Sequence, residues 1–241
     1  MGTIQRLDKI LANMDFGSRK EVKKLIKSGA VQIDGNITTD AESKVDPEKQ
    51  AIKVNGTLIN YRKYVYLIMN KPQGVITATE DSRSSTVLDL IDEEYLCFDI
   101  SPVGRLDKNT EGLLILTNDG EMNHSLTSPK KGVDKVYYAE VSGRVNSKDI
   151  KLFKRGITLK DGYKALPADL EIIEESDISK IKVTVREGKY HQVRRMFEAV
   201  SKKVIFLKRL SMGSLELDED LEPGEYRELT EREIEELKSL C

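Results

Sequence analysis

Apolar residues recur at helical spacing near the start of the chain. Val22, Leu25 and Ile26 fall on one side of a helix with about 3.6 residues per turn. The preceding Ser18-Arg19-Lys20-Glu21 has the form of a capping box, in which two side chains satisfy free backbone N–H groups. Gly29 stands where such a helix commonly ends. The pattern predicts a helix with one buried and one charged face.

Short apolar runs separated by hairpin turns follow this helix. Val31-Gln32-Ile33 leads into Asp34-Gly35, and Val54-Asn55-Gly56-Thr57 repeats the arrangement. Helices and short strands in this order predict a small module over residues 1–59. Residues 58–64 are predicted to be a linker.

Residues 60–241 contain more strand-like runs than helical ones. Strands are predicted at residues 65–69, 113–117, 135–141, 169–174, 180–185 and 204–207. Helices are predicted after Ser147, over residues 193–200 and after a second capping box at residues 230–233. The two element types do not alternate as in βαβ units, so the pattern favours an α+β fold with a mixed, mainly antiparallel sheet.

Composition excludes several classes of protein. Charged residues make up 33% of the 241 residues, and no apolar run approaches the ~20 residues of a membrane span. Cys97 and Cys241 are far apart and outside any Cys-x-x-Cys spacing, which argues against a disulfide framework or a zinc site. The composition predicts a cytoplasmic protein without a membrane partner.

The net charge of −2 conceals an uneven distribution. Residues 1–30 carry seven basic and three acidic groups, and residues 186–209 carry eight basic and two acidic groups. Residues 214–241 carry three basic and eleven acidic groups. Because local patches and not the total charge bind phosphates, the two basic segments are candidates for RNA contact; solvated surface is the alternative.

The segment with the clearest chemistry runs from Gly104 to Leu113. It places Asp107 on a loop between glycines, directly before the apolar run at residues 113–117, which Asn118-Asp119-Gly120 ends with a turn. A carboxylate at this position is either a turn residue that caps its own backbone or a group presented to a ligand. A second cluster, residues 187–196, combines Gly188 with the consecutive Arg194 and Arg195 at a predicted helix start, where anions are favoured.

These segments resemble the conserved motifs of pseudouridine synthases. The resemblance makes Asp107 the catalytic residue and Arg194 the basic residue that pairs with it and keeps it ionised. Asp134-Lys135-Val136-Tyr137 resembles the motif whose tyrosine packs against the target base, which is Tyr137 here. Arg105 corresponds to an arginine that helps hold the flipped nucleotide, and Gly104 lets the backbone approach closely.

Two further segments extend the resemblance to nearly the whole chain. Residues 69–74 resemble the first motif of the family and place Asn70 and Lys71 with Thr110 and Gln192 among the substrate-binding residues. Residues 1–59 resemble the S4-type (αL) RNA-binding domain. The residues expected to bind RNA are Arg6, Lys9, Ser18, Arg19, Lys20, Lys23 and Arg195.

The resemblance is closest to the RsuA-like group, which modifies ribosomal RNA. It implies isomerisation of one uridine, at position 516 of small-subunit (16S) ribosomal RNA, within an assembly intermediate. The protein is expected to be a monomer. It is also expected to need no metal or redox cofactor, because a single carboxylate suffices as nucleophile or base.

Three alternatives stay open. The first is a large-subunit (23S) enzyme of the same family, and the second is a non-catalytic ribosomal RNA-binding assembly factor. The third is a nucleoside hydrolase with Glu111 as the second carboxylate. His124 and His191 have no partners at metal-ligand spacing, so neither is expected to bind a metal.

Overall fold

The computed structural model describes residues 4–59 and 61–241, which fall into two compact units. The first unit extends to Tyr64 and also contains Glu93–Asp99. The second comprises Val65–Asp92 and Ile100–Cys241. The domain boundary expected at residues 59 and 60 thus differs by a few residues from the division between the units.

The first unit is built from short elements. They are β1 (Gln5–Arg6), α1 (Leu7–Asn13), α2 (Arg19–Lys27), β2 (Val31–Ile33), β3 (Asn36–Thr38), β4 (Lys44–Val45), β5 (Ile52–Val54), β6 (Thr57–Leu58) and α3 (Glu93–Leu96). Strands β3, β2, β5 and β6 form an antiparallel sheet in that order, and β1 pairs with β4. The apolar faces of α1 and α2 supply buried residues to the core, including Leu7, Leu11, Val22 and Ile26.

The local signals in this unit act as the sequence predicts. Ser18 caps α2: its hydroxyl accepts from the Glu21 N–H at 3.4 Å, and its own N–H donates to Glu21 Oε2 at 2.8 Å. Asp34 and Gly35 both have positive φ, at 51° and 82°, as the two-residue turn between β2 and β3 requires. The predicted helix and hairpin are confirmed.

The second unit contains the larger sheet. Its elements are β7 (Tyr66–Lys71), a 3₁₀ turn (Leu88–Leu90), β8 (Ser101–Pro102), β9 (Glu111–Thr117), α4 (Gly120–Thr127), β10 (Lys135–Ser142), α5 (Ser147–Arg155), β11 (Asp169–Glu174), β12 (Ile178–Val185), α6 (Gln192–Ala199), β13 (Lys203–Met212), β14 (Leu215–Glu216), β15 (Tyr226–Glu228) and α7 (Glu231–Lys238). None of the helices that the structure describes is long and apolar enough to cross a bilayer.

The strands of this sheet follow the order β11-β12-β10-β13-β9-β7-β15, with β14 added to β13 and β8 to β9. Neighbouring strands pair antiparallel except β13 and β9, which run parallel. The α+β class with a mixed, mainly antiparallel sheet is therefore confirmed. Helix α4 was not predicted, because only Met122 and Leu126 of its residues are buried and apolar; Asp119, expected in a turn, caps it.

The parallel pairing of β9 and β13, called the seam below, is short. It consists of Lys208 opposite Glu111 and Arg209 opposite Gly112. Gly112 has a φ of 101°, and a Cβ atom there would lie 2.2 Å from the Arg209 carbonyl oxygen. Only glycine fits this close approach of two backbones. Arg209 is buried and its Nε donates to the Leu113 carbonyl at 2.7 Å, which adds a bond across the seam.

Candidate active site

Asp107 lies on the loop between β8 and β9, directly before the seam. It borders an open cleft of about 440 Å³, a volume that includes the solvent at its mouth. The cleft is lined by Arg105, Leu106, Asp107, Thr110, Tyr137, Val185, Glu187, Gly188, Lys189, His191, Gln192, Val193 and Leu207. The Asp107 side chain is 31% exposed, so a ligand in the cleft can reach its carboxylate.

Lys71 supports the Asp107 loop from inside the protein. Its Nζ donates to the carbonyl oxygens of Asp107 at 3.3 Å, Thr110 at 3.1 Å and Pro72 at 2.9 Å. Burial lowers the pKa of Lys71 to about 8, although the charges of Asp107 and Glu111 act in the opposite direction. Lys71 was expected to contact the substrate, but its side chain is 0% exposed and cannot reach a ligand in the cleft. Its task is to position the loop.

Arg194 holds the same loop from α6. Its Nη2 donates to the Asn109 carbonyl at 3.0 Å, and its Nη1 donates to the Val204 carbonyl at 3.2 Å. The expected ion pair between Arg194 and Asp107 is not formed, because the guanidinium is directed at these two carbonyl oxygens. The fork of an arginine can join two such acceptors at once, which suits it to bracing a loop against a strand.

The basic side chain that faces Asp107 is His191. Its Nε2 lies 3.5 Å from Asp107 Oδ1, a charge contact when the imidazole is protonated. His191 has a φ of 49° and stands directly before α6, so the chain turns sharply there. His191 was expected only not to bind a metal, and its contact with Asp107 was not predicted. A left-handed backbone at a histidine has no signature in the sequence.

Tyr137, Arg105 and Thr110 line the cleft as the sequence predicts. Tyr137 is buried on β10, while the next residue, Tyr138, is half-buried on the opposite face. Arg105 is exposed at the cleft. The buried Thr110 hydroxyl has no hydrogen-bond partner among the described residues. Their predicted roles in binding stay predictions.

Gln192 and Glu187 brace the turn between β12 and α6. The Gln192 side chain donates to Glu187 Oε1 at 2.6 Å and accepts from the Lys189 N–H at 3.0 Å. Glu187 also accepts from the Tyr163 hydroxyl at 2.5 Å and from the Leu166 N–H at 2.9 Å. Gln192 borders the cleft, but both polar atoms of its side chain bind within this network, so in this structure the side chain stabilises the turn. The sequence did not indicate this structural role of Glu187.

Two further expected substrate contacts lie outside the lining of the cleft. The Asn70 side chain donates to the Leu221 carbonyl at 2.7 Å and is buried, so it holds the loop before β15. Gly104 has a φ of 72° and permits the turn that leads to Arg105. Neither residue lines the cleft, and the expected substrate contact of each stays a prediction.

Arg195 was expected to contact RNA, but its guanidinium is engaged within the protein. It pairs with Asp161, and its Nη1 donates to the Tyr190 carbonyl at 3.3 Å. Arg195 therefore fixes the residue before His191, which argues against the expected role.

The RNA-binding candidates of the first unit differ in their freedom. Arg6 pairs with Asp8 at 2.8 Å and with Glu42 at 3.0 Å, and Ser18 is occupied as the cap of α2. Lys23 lies 4.0 Å from Asp8, at the limit of an ion pair. The remaining candidates are exposed, namely Lys9, Arg19 and Lys20.

Comparisons with known families agree with this geometry. Residues 65–199 match the family model described as RNA pseudouridylate synthase, and residues 5–51 match the S4 domain. The chain resembles a crystal structure of a pseudouridylate synthase with 36% identity and a TM-score of 0.68, over 97% of this chain and 99% of that one.

Individual relatives are similar over nearly their full length. An uncharacterized RNA pseudouridine synthase of Bacillus subtilis (strain 168) is 52% identical over 95% of this chain and 96% of its own. Ribosomal small subunit pseudouridine synthase A of Vibrio cholerae is 41% identical over 95% and 97%. Ribosomal large subunit pseudouridine synthase B of Bacillus subtilis is 38% identical over 99% and 97%.

Proposed function

Because the chain belongs to the RNA pseudouridylate synthase family, we propose that it isomerises one uridine of small-subunit ribosomal RNA to pseudouridine, with Asp107 as the catalytic carboxylate. The observation that carries the proposal is the position of Asp107. Its carboxylate borders the cleft, and the other residues that line the cleft include Arg105, Tyr137 and His191.

The reaction requires little beyond positioning and one carboxylate. The N1–C1′ bond of the uridine breaks, the uracil turns in the cleft, and C5 bonds to C1′. C5 then loses its proton and N1 holds one, so atoms and electrons balance without an added reactant. Asp107 interacts with the sugar or the base during bond cleavage. Tyr137 packs against the uracil, and Arg105 supports the nucleotide in its flipped position.

Three side chains hold the loop that carries Asp107 through hydrogen bonds to four of its carbonyl oxygens. Lys71 binds the carbonyl oxygens of Asp107 and Thr110, Arg194 binds that of Asn109, and the Thr77 hydroxyl donates to that of Leu106 at 2.8 Å. A reacting group on a loop must be fixed to within a fraction of an ångström to be effective. These bonds supply that fixation.

The choice of small-subunit RNA, and of the uridine at position 516, rests on sequence similarity. The chain is 41% identical to the small-subunit enzyme of Vibrio cholerae and 38% identical to the large-subunit enzyme of Bacillus subtilis. This small difference makes a 23S ribosomal RNA target the second candidate. A partly assembled small subunit is the proposed physical substrate, and the S4 domain is the proposed anchor.

Tritium release from uridine C5 tests the proposal directly. Unmodified 16S and 23S transcripts labelled at C5 of uridine are incubated with the protein, free and after partial assembly with ribosomal proteins. We expect release from 16S RNA by the unaltered chain and at least ~1,000-fold less by Asp107→Asn. The variant should still bind the transcript, because the change removes one charge and leaves the basic segments intact.

The other outcomes separate the alternatives. Release from 23S RNA alone would move the target to the large subunit. Full activity of Asp107→Asn would refute the assigned role of the carboxylate. Binding without release from either RNA would favour the non-catalytic assembly factor, and free uracil as product would favour the hydrolase.

A further inference from the structure

Tyr190 is unusually exposed for an aromatic residue beside a catalytic cleft. It is 75% exposed, the largest fraction among the exposed large apolar and aromatic side chains of the described residues. Exposing an aromatic ring of this size forgoes the stabilisation that burial would give. Gly188 and Lys189 before it are exposed as well, whereas Gln192 and Val193 at the start of α6 are buried, so Tyr190 stands on an exposed turn that is anchored on one side by buried residues.

The ring of Tyr190 lies flat against the imidazole of His191. The two ring centroids are 3.8 Å apart and the planes differ by 16°. On its other edge, His191 reaches Asp107 at 3.5 Å. The stacked pair therefore extends from Asp107, which borders the cleft, to the exposed surface of the protein.

The turn that carries this pair is held in place. Arg195 binds the Tyr190 carbonyl, and Gln192 binds the Lys189 N–H at 3.0 Å. The Gln192 N–H donates to the Lys189 carbonyl at 3.1 Å, and the Arg195 N–H donates to the His191 carbonyl at 2.9 Å. A surface side chain on such a braced turn is preorganised, so little freedom is lost when a ligand covers it.

We propose that the Tyr190–His191 stack is a platform for the base of a nucleotide that flanks the target uridine. The inference rests on the proposed function and adds the part of the RNA that the protein reads beside the cleft. Aromatic side chains stack on unpaired bases, and such stacking tolerates different bases because every base has a π-face. When the target uridine is flipped into the cleft, its neighbour loses a stacking partner, and the exposed ring of Tyr190 replaces it.

A kinetic experiment separates this role from support of His191. In the tritium assay, Tyr190→Ala should raise KM for the RNA about 5- to 30-fold with kcat within about threefold, and Tyr190→Phe should match the unaltered chain. The matched control is Ile178→Ala, which removes a half-exposed apolar side chain at the start of β12, outside the cleft lining. A lowered kcat with unchanged KM would show that the ring only holds His191, and would overturn the platform.

A fluorescence experiment observes the contact itself. The chain contains no tryptophan, so Tyr190→Trp introduces a single reporter. The 16S transcript should quench this fluorescence, whereas Ile178→Trp should be unaffected. Quenching by uridine monophosphate alone would place the target base on the ring and overturn the assignment to its neighbour.

Failure of the two proposals can be distinguished. Absence of tritium release by the unaltered chain from both ribosomal RNAs would refute the proposed function and the platform with it. Release with the same KM for the unaltered chain and Tyr190→Ala, and no quenching of the tryptophan variant by RNA, would refute the platform alone.

Discussion

His191 Nε2 lies 3.5 Å from Asp107 Oδ1, and the backbone of His191 is left-handed, with a φ of 49°. The left-handed turn brings the imidazole back over the cleft at the point where α6 begins. The left-handed conformation raises the free energy of a non-glycine residue by about 1 kcal/mol, and it is kept where the surrounding hydrogen bonds enforce it. The residue that faces the Asp107 carboxylate is thus positioned by backbone geometry, while Arg194, three residues later, supports the loop.

Removal of the imidazole should slow the chemical step. We expect His191→Asn to lower kcat about tenfold, which corresponds to about 1.4 kcal/mol of transition-state stabilisation. Asparagine tolerates the left-handed conformation, so the turn should persist, but its shorter side chain does not reach Asp107. Single-turnover tritium release measures the effect, and an unchanged rate would show that the contact with Asp107 is incidental.

Gly112→Ala should destabilise the second unit by about 2 kcal/mol or more. The added methyl group would lie 2.2 Å from the Arg209 carbonyl oxygen, and the φ of 101° is unfavourable for alanine. Urea unfolding followed by circular dichroism measures the change. Gly120→Ala is the control, since a Cβ at that position meets nothing within 4 Å and should leave stability within about 0.5 kcal/mol. Equal stability of the two variants would contradict the close approach at the seam.

Lys71 should make stability depend on alkaline pH. Its pKa is lowered from 10.5 to about 8 by burial, so between these values the unfolded state binds more protons than the folded state. Stability therefore rises with pH in this window, by at most about 1.4 kcal/mol per pH unit. In Lys71→Met this contribution is absent, so the difference in free energy of unfolding between the two proteins should shift in favour of the unaltered chain from pH 8 to 9.5.

Two comparisons complete the test of Lys71. Lys135 is a second buried lysine whose pKa is lowered to about 8, chiefly by burial, and Lys135→Met should show the same pH dependence. Lys71→Met should also lower kcat, whereas Lys135→Met should not, because Lys71 binds the Asp107 loop and Lys135 does not. A pH-independent difference in stability would show that Lys71 is not buried as a titrating amine.

Glu233 should stabilise the C-terminal helix above acidic pH. Hydrogen bonds from Arg227, at 2.8 and 3.0 Å, lower the pKa of Glu233 from 4.5 to about 2. The resulting stabilisation is fully present above pH 4.5 and is lost as the pH falls through about 2. Because the pair is partly exposed, we expect Glu233→Gln to cost about 2 kcal/mol at pH 7, and the cost to shrink below pH 4.5.

The control for Glu233 lies on the same helix. Glu236 pairs with Arg232 at 2.9 Å on the exposed surface, and such pairs contribute about 0.5 kcal/mol or less. Urea unfolding of Glu233→Gln and Glu236→Gln at pH 7, 5, 4 and 3 compares them. Equal effects at every pH would contradict the lowered pKa of Glu233.

Local signals in the sequence predict much of the fold. The capping boxes at Ser18 and Thr230 mark helix starts that the structure confirms. Such signals depend on side chains within a few residues, so they can be read without tertiary information. β15 has only three residues and its pairing partner β7 lies far away in the sequence, so no local pattern predicts it.

The site is less accessible to prediction than the fold. The motif identifies the loop of Asp107, but it does not reveal that Lys71 and Arg194 bind backbone carbonyls instead of ligand or carboxylate. These bonds depend on the relative position of strands that are distant in sequence. The contact of His191 depends in addition on one backbone angle, which residue identity does not specify.

The pairing of β9 with β13 at the seam determines when the Asp107 loop can reach its final surroundings during synthesis. Arg209 is made about 100 residues after Asp107, so the Asp107 loop leaves the ribosome long before its partners on β13 and α6 exist. The strands of the first half can pair earlier, but the Asp107 loop acquires these partners only after residues 192–212 have been made. The bonds of the Asp107 loop to Arg194 and of β9 to Arg209 therefore form only after α6 and β13 have been synthesised.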